Sequence, residues 1–147
     1  MHQIKIYSAG GADYFPLRGS EQAAGFDVFN IGPPLTINPG ESKMISTGIK
    51  LELPNNIECQ VRPRSGLATK HHIIIPNSPG TVDQDFKGEI IVCLFNLGTT
   101  LYNVAAGERI AQLVFNEVIT DIPGKSCTEQ ELSTSKRGEK GFGSSGK

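Results

Sequence analysis

The feature that most constrains the fold is the length of the apolar segments, which are short, rich in β-branched residues and separated by turns. The 147 residues include 17 glycines and 9 prolines, and these are scattered between the apolar segments rather than massed in one tract. The segment 57–62 is typical: apolar and polar residues alternate along it, and Pro54-Asn55-Asn56 precedes it. Such alternation between turn residues indicates half-buried strands. The pattern predicts one all-β domain, a sandwich, barrel or jelly roll.

The same pattern recurs along the chain and gives the order of the predicted strands. Besides 57–62, strands are expected over 3–7, 35–37, 44–53, 73–75, 89–95, 101–104 and 110–118, the last extending toward Ile122. The strands 73–75 and 89–95 flank the turn-rich residues 77–88, and this arrangement predicts a long hairpin. Helix is expected only as single turns, over 67–71 and 128–132.

Charge is nearly balanced, with 14 basic and 15 acidic residues. A net charge of −1 gives no broad positive field, so neither nucleic acid nor an anionic membrane is an expected partner. No apolar run approaches the roughly 18 residues of a membrane span, and the first residues lack the apolar stretch of a signal peptide. The three cysteines show no CxxC spacing. They predict free thiols in a reducing compartment, the cytosol or the nucleus.

The composition changes after residue 122. Residues 123–147 are rich in Gly, Ser, Lys, Thr and Glu and contain one aromatic residue, Phe142. Such a composition is typical of a flexible tail, so we expect a β domain over 1–122 and a C-terminal arm over 123–147. Fully extended, this arm reaches roughly 80 Å. A single Phe between glycines suits contact with a ligand better than exposure to water.

Two turn-rich segments carry residue types suited to a nucleotide. Arg64, Ser65 and Gly66 place a guanidinium, a hydroxyl and a backbone amide side by side, and this combination binds phosphate. The segment 80–88 contains Asp83, whose carboxylate is a candidate to take a proton from water. An ordinary turn is the simpler interpretation of either segment alone. The functional prediction therefore rests on their combination.

A protein cage for a metal ion is not expected from this sequence. The histidines, His2, His71 and His72, form no HExxH motif and no Cys/His cluster. A hard ion such as Mg²⁺, brought in on phosphate groups, needs few protein ligands. Asp27 either serves the water shell of such an ion or braces a turn. The terminal GFGSSGK has the spacing of the first half of a P-loop, but the parallel-sheet context is missing, so we reject that interpretation.

Five segments, taken in order, resemble the motifs of the trimeric dUTPase family. They are AAGFDV, PRSGL, NSPGTVDQDFKGEI, GERIAQLVF and RGEKGFGSSG, and together they span residues 23 to 146. The resemblance implies a β jelly roll assembled as a homotrimer whose active sites are shared between subunits and closed by the C-terminal arm. It also implies Mg²⁺-assisted hydrolysis of dUTP to dUMP and pyrophosphate, which lowers dUTP and supplies dUMP for thymidylate synthesis.

The resemblance also implies a role for individual residues. Asp83 corresponds to the base that activates the attacking water, and Asp27 to an aspartate near the water shell of the metal. The residues that correspond to substrate contacts are Arg64, Ser65, Gly66 and Gln112 for the phosphates, Asn77, Gly80, Thr81, Val82 and Ile91 for uracil, Phe86 for the deoxyribose, Arg137, Gly143, Ser144 and Ser145 for the phosphates, and Phe142 for stacking on uracil.

The sequence departs from the family pattern at two of these positions. Phe86 stands where a tyrosine is usual, so the ring remains but the phenolic hydroxyl is lost. Ser145 stands where threonine is commoner. Two alternative functions remain open: a dCTP deaminase, which shares the fold but has a different base pocket and an active-site glutamate, and a non-catalytic module that binds nucleotides or proteins. The GTVD aspartate and the filled catalytic positions favour the dUTPase.

Overall fold

The strands follow from the short alternating segments, and they make the protein mostly β, as predicted. The computed structural model describes residues 3–135 and 138–139. Within them lies one short helix, α1 (Ser65–His71), with two 3-10 turns at Gly11–Tyr14 and Glu129–Glu131. The strands are β1 (Lys5–Ser8), β2 (Leu17–Arg18), β3 (Gly25–Phe29), β4 (Leu35–Ile37), β5 (Ser42–Ser46), β6 (Ile49–Glu52), β7 (Ile57–Arg62), β8 (Ile73–Ile74), β9 (Gly80–Val82), β10 (Ile91–Asn96), β11 (Tyr102–Val104) and β12 (Arg109–Glu117).

The strands form four antiparallel sheets in a jelly-roll-like arrangement. The largest sheet has the order β2-β3-β12-β7-β9, and a three-stranded sheet has the order β5-β10-β8. Two further pairs, β1-β6 and β11-β4, complete the fold. Neighbours in these sheets are seldom consecutive in sequence, because the chain crosses repeatedly from one sheet to another. Residues far apart in sequence are thereby brought together at the functional site.

One hydrophobic core lies between the sheets. Its fully buried side chains include, from six of the strands, Ile37, Ile45, Ile49, Ile73, Val92, Leu94, Ile110 and Leu113. Two buried asparagines, Asn30 and Asn96, stabilise turns at the edge of this core. Asn96 Nδ2 donates to the carbonyls of Ile37 (2.9 Å) and Thr100 (2.8 Å). Because buried amides are costly when unpaired, these bonds fix the turn geometry as well as its position.

The single strand predicted over 44–53 is wrong, because two strands, β5 and β6, occupy this region. Gly48 between them has φ +67, a left-handed conformation that favours glycine, and a Cβ there would lie 2.6 Å from Ile31 Cδ1. The chain turns at this point, and the two strands then pair with different partners, β5 with β10 and β6 with β1. The hydrophobic pattern continues through the turn because Ile45 and Ile49 both face the core.

The long hairpin predicted for 73–95 is confirmed only at its base. There β8 pairs with β10 through Phe95↔Ile74 and Asn96↔Ile73. The residues between them leave this sheet, since β9 pairs with β7 in the five-stranded sheet. The segment 80–88 is therefore not the tip of a hairpin. It links the two largest sheets, and this link creates the cavity described below.

The strand β3 was not predicted, because its glycine and aspartate look like turn residues in the sequence. It pairs with β12 on one side and β2 on the other. The predicted helical turns at 67–71 and 128–132 are confirmed as α1 and as the 3-10 turn at Glu129–Glu131. Residues 119–135, beyond β12, are exposed throughout.

The described residues contain no helix long and apolar enough to cross a membrane. The three cysteines are free thiols: Cys59 is buried, Cys93 half-buried and Cys127 exposed. Burial raises the pKa of the Cys59 thiol to about 12, so this group stays protonated and unreactive at neutral pH.

Candidate active site

A pocket of about 310 Å³ lies where the chain passes from β9 to β10. Seven residues singled out from the sequence line it: Asn77, Gly80, Thr81, Val82, Asp83, Phe86 and Ile91. The volume lies within the range of small-ligand pockets. The structure therefore brings together in one cavity every described residue that the family resemblance assigned to base recognition, to the sugar and to proton transfer.

The wall formed by β9 offers backbone polar groups and has the Asn77 side chain packed close against it. β9 is the last strand of its sheet, so only one of its edges pairs with a neighbouring strand among the described residues. Its other edge leaves backbone N–H and C=O groups available. A Cβ on Gly80 would lie 3.1 Å from Asn77 Nδ2 and 3.4 Å from Val61 Cβ. Glycine at this position therefore allows the Asn77 amide to lie against the strand.

The lining of the pocket also includes six residues that were not predicted from the sequence, among them Glu89 and Cys93. The carboxylate of Glu89 accepts hydrogen bonds from Ser46 Oγ and from the Gly48 N–H (2.8 Å), and these bonds, the Ser46 bond first, lower its pKa. Thr47 Oγ1 donates to the carbonyl of Ile90 (2.6 Å). These bonds attach the pocket wall to the corner between β5 and β6. No local signal marked this contact, because it joins residues about 40 positions apart.

Three more predicted residues, Asp27, Arg64 and Gln112, lie together with Arg109, which was not predicted, and we call these four residues the arginine cluster. Asp27 Oδ1 is 3.2 Å from Arg64 Nε, and Asp27 Oδ2 is 3.0 Å from Arg109 Nη1. Arg64 also donates from Nη1 to the Arg109 carbonyl (3.2 Å). The side chain of Asp27 is 16% exposed and that of Arg64 is 25% exposed. One carboxylate thus aligns two guanidinium groups and leaves an excess positive charge.

Gln112 holds the turn that follows β7. It lies opposite Asp27 on one side and Arg62 on the other in the five-stranded sheet. Its Nε2 donates to the Pro63 carbonyl (2.9 Å). A Cβ on Gly25 would lie 2.2 Å from Gln112 Oε1, so a side chain on the neighbouring strand would displace the Gln112 amide. This explains the glycine in a strand that the sequence did not reveal.

Ser65 and Gly66 form the first turn of α1, directly after the extended residue Arg64. Both are exposed, and the first N–H groups of a helix have no partners within it. The far end of α1 is anchored by His71, whose ring lies 5.0 Å from that of Tyr102. The Tyr102 hydroxyl donates to Glu108, next to Arg109. Burial first, and then this hydrogen bond, raise the pKa of Tyr102.

The pocket and the arginine cluster are separate within one chain. Val82 pairs with Cys59 on β7, so Asp83 lies near the start of that strand, whereas Arg64 follows its end. At about 3.3 Å per residue the two positions are roughly 20 Å apart along the sheet. Among the described residues, the lining of the pocket includes no member of the arginine cluster.

The remaining predicted residues, Arg137, Phe142, Gly143, Ser144 and Ser145, lie outside the described residues. Residues 3–135 and 138–139 contain no group of three or more His, Cys, Asp or Glu placed to hold a metal ion. Both Asp27 oxygens already accept hydrogen bonds from arginines. Any ion at this site would therefore depend mainly on oxygens from outside the protein.

Comparison with known proteins identifies the family. The dUTPase family model matches residues 14–146. The chain is 45% identical to a deoxyuridine 5'-triphosphate nucleotidohydrolase of Caldanaerobacter subterraneus subsp. tengcongensis over 97% of each chain, and 46% identical to one of Solibacter usitatus over 88% of this chain and 84% of that one.

Solved structures agree. A mutant dUTPase of Staphylococcus bacteriophage 80alpha with dUpNHpp superposes with a TM-score of 0.83 and 27% identity over 99% of this chain and 98% of that one. A mutant dUTPase of the S. aureus phage phi11 with a structural Mg(II) ion gives a TM-score of 0.72 and 21% identity over 88% and 97%. The jelly-roll prediction is confirmed, and this chain belongs to the dUTPase family, the enzymes that hydrolyse dUTP to dUMP.

Proposed function

We propose that this protein hydrolyses dUTP to dUMP and pyrophosphate by in-line attack of water on the α-phosphorus, with Asp83 as the general base. The observation that carries the proposal is the position of the Asp83 carboxylate, which lines the same pocket as the free edge of β9 and the Asn77 amide. The base-binding groups and the proton acceptor lie in one cavity, so a nucleotide held by its base is fixed relative to the carboxylate. Such positioning supplies much of the rate in hydrolytic reactions.

Uracil recognition is assigned to Asn77, to the backbone of Gly80, Thr81 and Val82, and to the Ile91 side chain. The edge of a uracil ring carries one N–H donor between two carbonyl acceptors. The backbone groups along the unpaired edge of β9, together with one amide side chain, provide the complementary donors and acceptor. Cytosine presents a different order of donors and acceptors, so a pocket that satisfies uracil leaves polar groups unpaired with cytosine.

The sugar is assigned to Phe86, whose ring lines the pocket and is 45% exposed. An aromatic face placed against the deoxyribose gives a ribose 2′-hydroxyl no hydrogen-bond partner. Burying an unpaired hydroxyl costs about 1–3 kcal/mol, which disfavours UTP. The missing phenolic oxygen of tyrosine does not change this part of the argument.

The arginine cluster is assigned to the phosphates, together with Ser65 and Gly66. Since Asp83 and Arg64 of one chain are roughly 20 Å apart along the sheet, they are too distant to act on one phosphate group. We therefore propose a homotrimer in which the pocket of one copy faces the arginine cluster of another. This arrangement, which the family resemblance also implies, is supported by the excess positive charge that a single chain leaves open to solvent.

The C-terminal arm is proposed to close the site. Arg137, Gly143, Ser144 and Ser145 would add donors to the phosphate chain, and Phe142 would stack on uracil. Residues 119–135 are exposed along their whole length, which leaves the arm free to reach a neighbouring copy. A closed arm excludes water and strengthens the electrostatic interactions inside the site.

Mg²⁺ is proposed as the cofactor, held mainly by the substrate phosphates. When bound, it neutralises charge that develops on the phosphate oxygens. A carboxylate has about four lone-pair positions, and the arginines use two of those on Asp27. The remaining positions are available to accept a hydrogen bond from a water of the ion's shell. The role of Asp27 is then to hold Arg64 and Arg109 while it orients this water.

Pyrophosphate release from dUTP, dCTP, dTTP and UTP, each with Mg²⁺ and with a chelator, tests this function. We expect rapid, metal-dependent release from dUTP alone. Release of ammonia from dCTP would instead support a deaminase. Binding of dUTP without turnover would support a non-catalytic module and contradict the role of Asp83.

A further inference from the structure

One contact in the pocket explains a glycine that has no role in the reaction proposed above. The far edge of the Phe86 ring lies directly over Gly88, and a Cβ on Gly88 would be 2.6 Å from Phe86 Cζ and 3.0 Å from Phe86 Cε2. The φ of Gly88 lies outside the left-handed region, so the backbone does not require glycine. The ring itself is the group that requires the absence of a side chain.

The ring of Phe86 has few other restraints. Its backbone is held by a hydrogen bond from the Phe86 N–H to the Asp83 carbonyl (3.1 Å), which closes the turn between them. The loop is held on its outer side by Gln84, which donates to Asn55 (2.8 Å), and by Lys87, which lies 3.5 Å from Glu52. None of these contacts touches the aromatic ring. A phenylalanine ring has no polar atom with which to fix its orientation, so close packing on the backbone of Gly88 sets its tilt.

We infer that Gly88 is a specificity-determining position that seats the Phe86 ring and thereby sets the discrimination between deoxyribose and ribose. The inference rests on the proposed function, in which this ring excludes the 2′-hydroxyl. A methyl group on Gly88 would force the ring to move by about 1 Å to regain a normal carbon contact of 3.5–4.0 Å. The ring belongs to an exposed, flexible side chain, so the displacement costs the fold little but changes the surface that the sugar meets.

The test compares kcat/KM for dUTP and for UTP in the wild type and in Gly88→Ala, Phe86→Ala and the double variant. An apolar wall rejects an added hydroxyl by about a hundredfold at best. A displaced ring should lose part of this discrimination, so we expect Gly88→Ala to lower the ratio of kcat/KM for dUTP to kcat/KM for UTP about tenfold. Phe86→Ala lowers the ratio at least as far. The double variant matches Phe86→Ala within about a factor of two, because the glycine acts only through the ring.

Gly19→Ala is the matched control, because a Cβ on Gly19 meets nothing within 4 Å, and its ratio stays at the wild-type value. If Gly88→Ala lowers the melting temperature, the double variant should restore it, since the clash is with the ring alone. Two results would overturn the inference while the enzyme still hydrolyses dUTP. One is a wild-type dUTP-to-UTP ratio in Gly88→Ala. The other is a double variant whose ratio or melting temperature lies well below that of Phe86→Ala. A wild-type protein that hydrolyses neither nucleotide would instead contradict the proposed function.

Discussion

The pocket and the arginine cluster are built on different physical principles. Val82, Ile90 and Val92 line the pocket and are also part of the hydrophobic core. The arginine cluster lies on the outer face of the five-stranded sheet, where the Arg109 side chain is 50% exposed. The pocket is shaped by packing, whereas the cluster is shaped by its own ion pairs.

This difference indicates what each region contributes. Packed walls hold the pocket open whether or not a ligand is present, which favours precise recognition. Partly exposed ion pairs contribute only about 0–1 kcal/mol to stability, so the arrangement of two arginines on Asp27 adds little to the fold. In the proposed reaction, its value lies in presenting guanidinium groups that an incoming phosphate chain can share. Of the four predictions below, three address one region or the other and one addresses the arm proposed to close the site, and they run from the largest expected effect to the smallest.

Replacing the carboxylate in the pocket should have the largest effect. Asp83→Asn keeps the shape of the side chain but removes the base, so we expect kcat to fall by about 10³-fold or more while the dissociation constant for a dUTP analogue stays nearly unchanged. Steady-state kinetics and calorimetry measure the two quantities. Asp85→Asn serves as the control, since Asp85 does not line this pocket. A comparable loss of binding in Asp83→Asn would contradict its assignment as the base.

Truncation after Ser135 should disable catalysis and leave the fold intact. The deletion begins beyond residues 119–135, which are exposed, so it removes no residue of the described core. We expect kcat/KM to fall by about 10²-fold, the order of effect seen when donors to a developing charge are lost, with a melting temperature close to that of the full chain. Full activity in the truncated enzyme would remove Arg137 and Phe142 from the site.

Asp27→Asn tests whether the arginine cluster depends on its central charge. The substitution removes the charge that aligns Arg64 and Arg109, and we expect kcat/KM to fall by about tenfold, equivalent to about 1.4 kcal/mol. The larger part of the loss should persist at saturating Mg²⁺, because both carboxylate oxygens contact guanidinium groups. Full rescue by Mg²⁺ would show that the ion pairs are unimportant for the reaction.

Glu89→Gln is expected to give the smallest effect, a change in stability that depends on pH. The hydrogen bond from Ser46 and then that from the Gly48 N–H lower the pKa of Glu89 below its usual 4.5. The ionised form is therefore stabilised in the folded state, and this contribution is present above the unfolded pKa and lost as pH falls through the folded pKa. We expect a melting temperature about 2–4 °C lower than wild type at pH 7.

The difference in melting temperature between Glu89→Gln and wild type should shrink as the pH is lowered below about 4.5, through the folded pKa. Thermal unfolding across a pH series measures it. Glu41→Gln is a useful comparison, since the pKa of Glu41 is also lowered, chiefly by Lys43, but at a partly exposed position that does not line the pocket. A constant difference from pH 7 to pH 3 would contradict the linkage.

The local segments were predictable where alternation and turn residues agreed. β4 and β7 have the predicted bounds because β-branched alternation ends at recognisable turns, and Asn56, before β7, has the positive φ that such turns favour. The pairing was not predictable in the same way. β9 joins β7 rather than extending the hairpin of β8 and β10, because partner choice depends on long-range packing that no local pattern encodes.

In the candidate site, too, the residues within motifs were predictable, whereas the contacts that depend on strand pairing were not. The motifs identified the pocket residues and Arg64, Gln112 and Asp27, because each belongs to a recognisable segment. No motif indicated that Arg109 would share the carboxylate of Asp27, or that Gly25 makes room for Gln112. These contacts depend on the register of β3 against β12, and β3 resembles a turn when read alone. The glycine of β3 makes room for the Gln112 side chain, and its aspartate pairs with Arg64 and Arg109.

The central claim is that the pocket of one copy acts with the arginine cluster of another, and mixing two inactive variants tests it most directly. Asp83→Asn lacks a working pocket and Arg64→Ala lacks a working cluster, so each is expected to be nearly inactive alone. Refolded together in equal amounts, they should recover about a quarter of the wild-type activity, the fraction of sites that receive both intact parts in random trimers. Activity no higher than that of the separate variants would contradict the account and place the whole site within one chain.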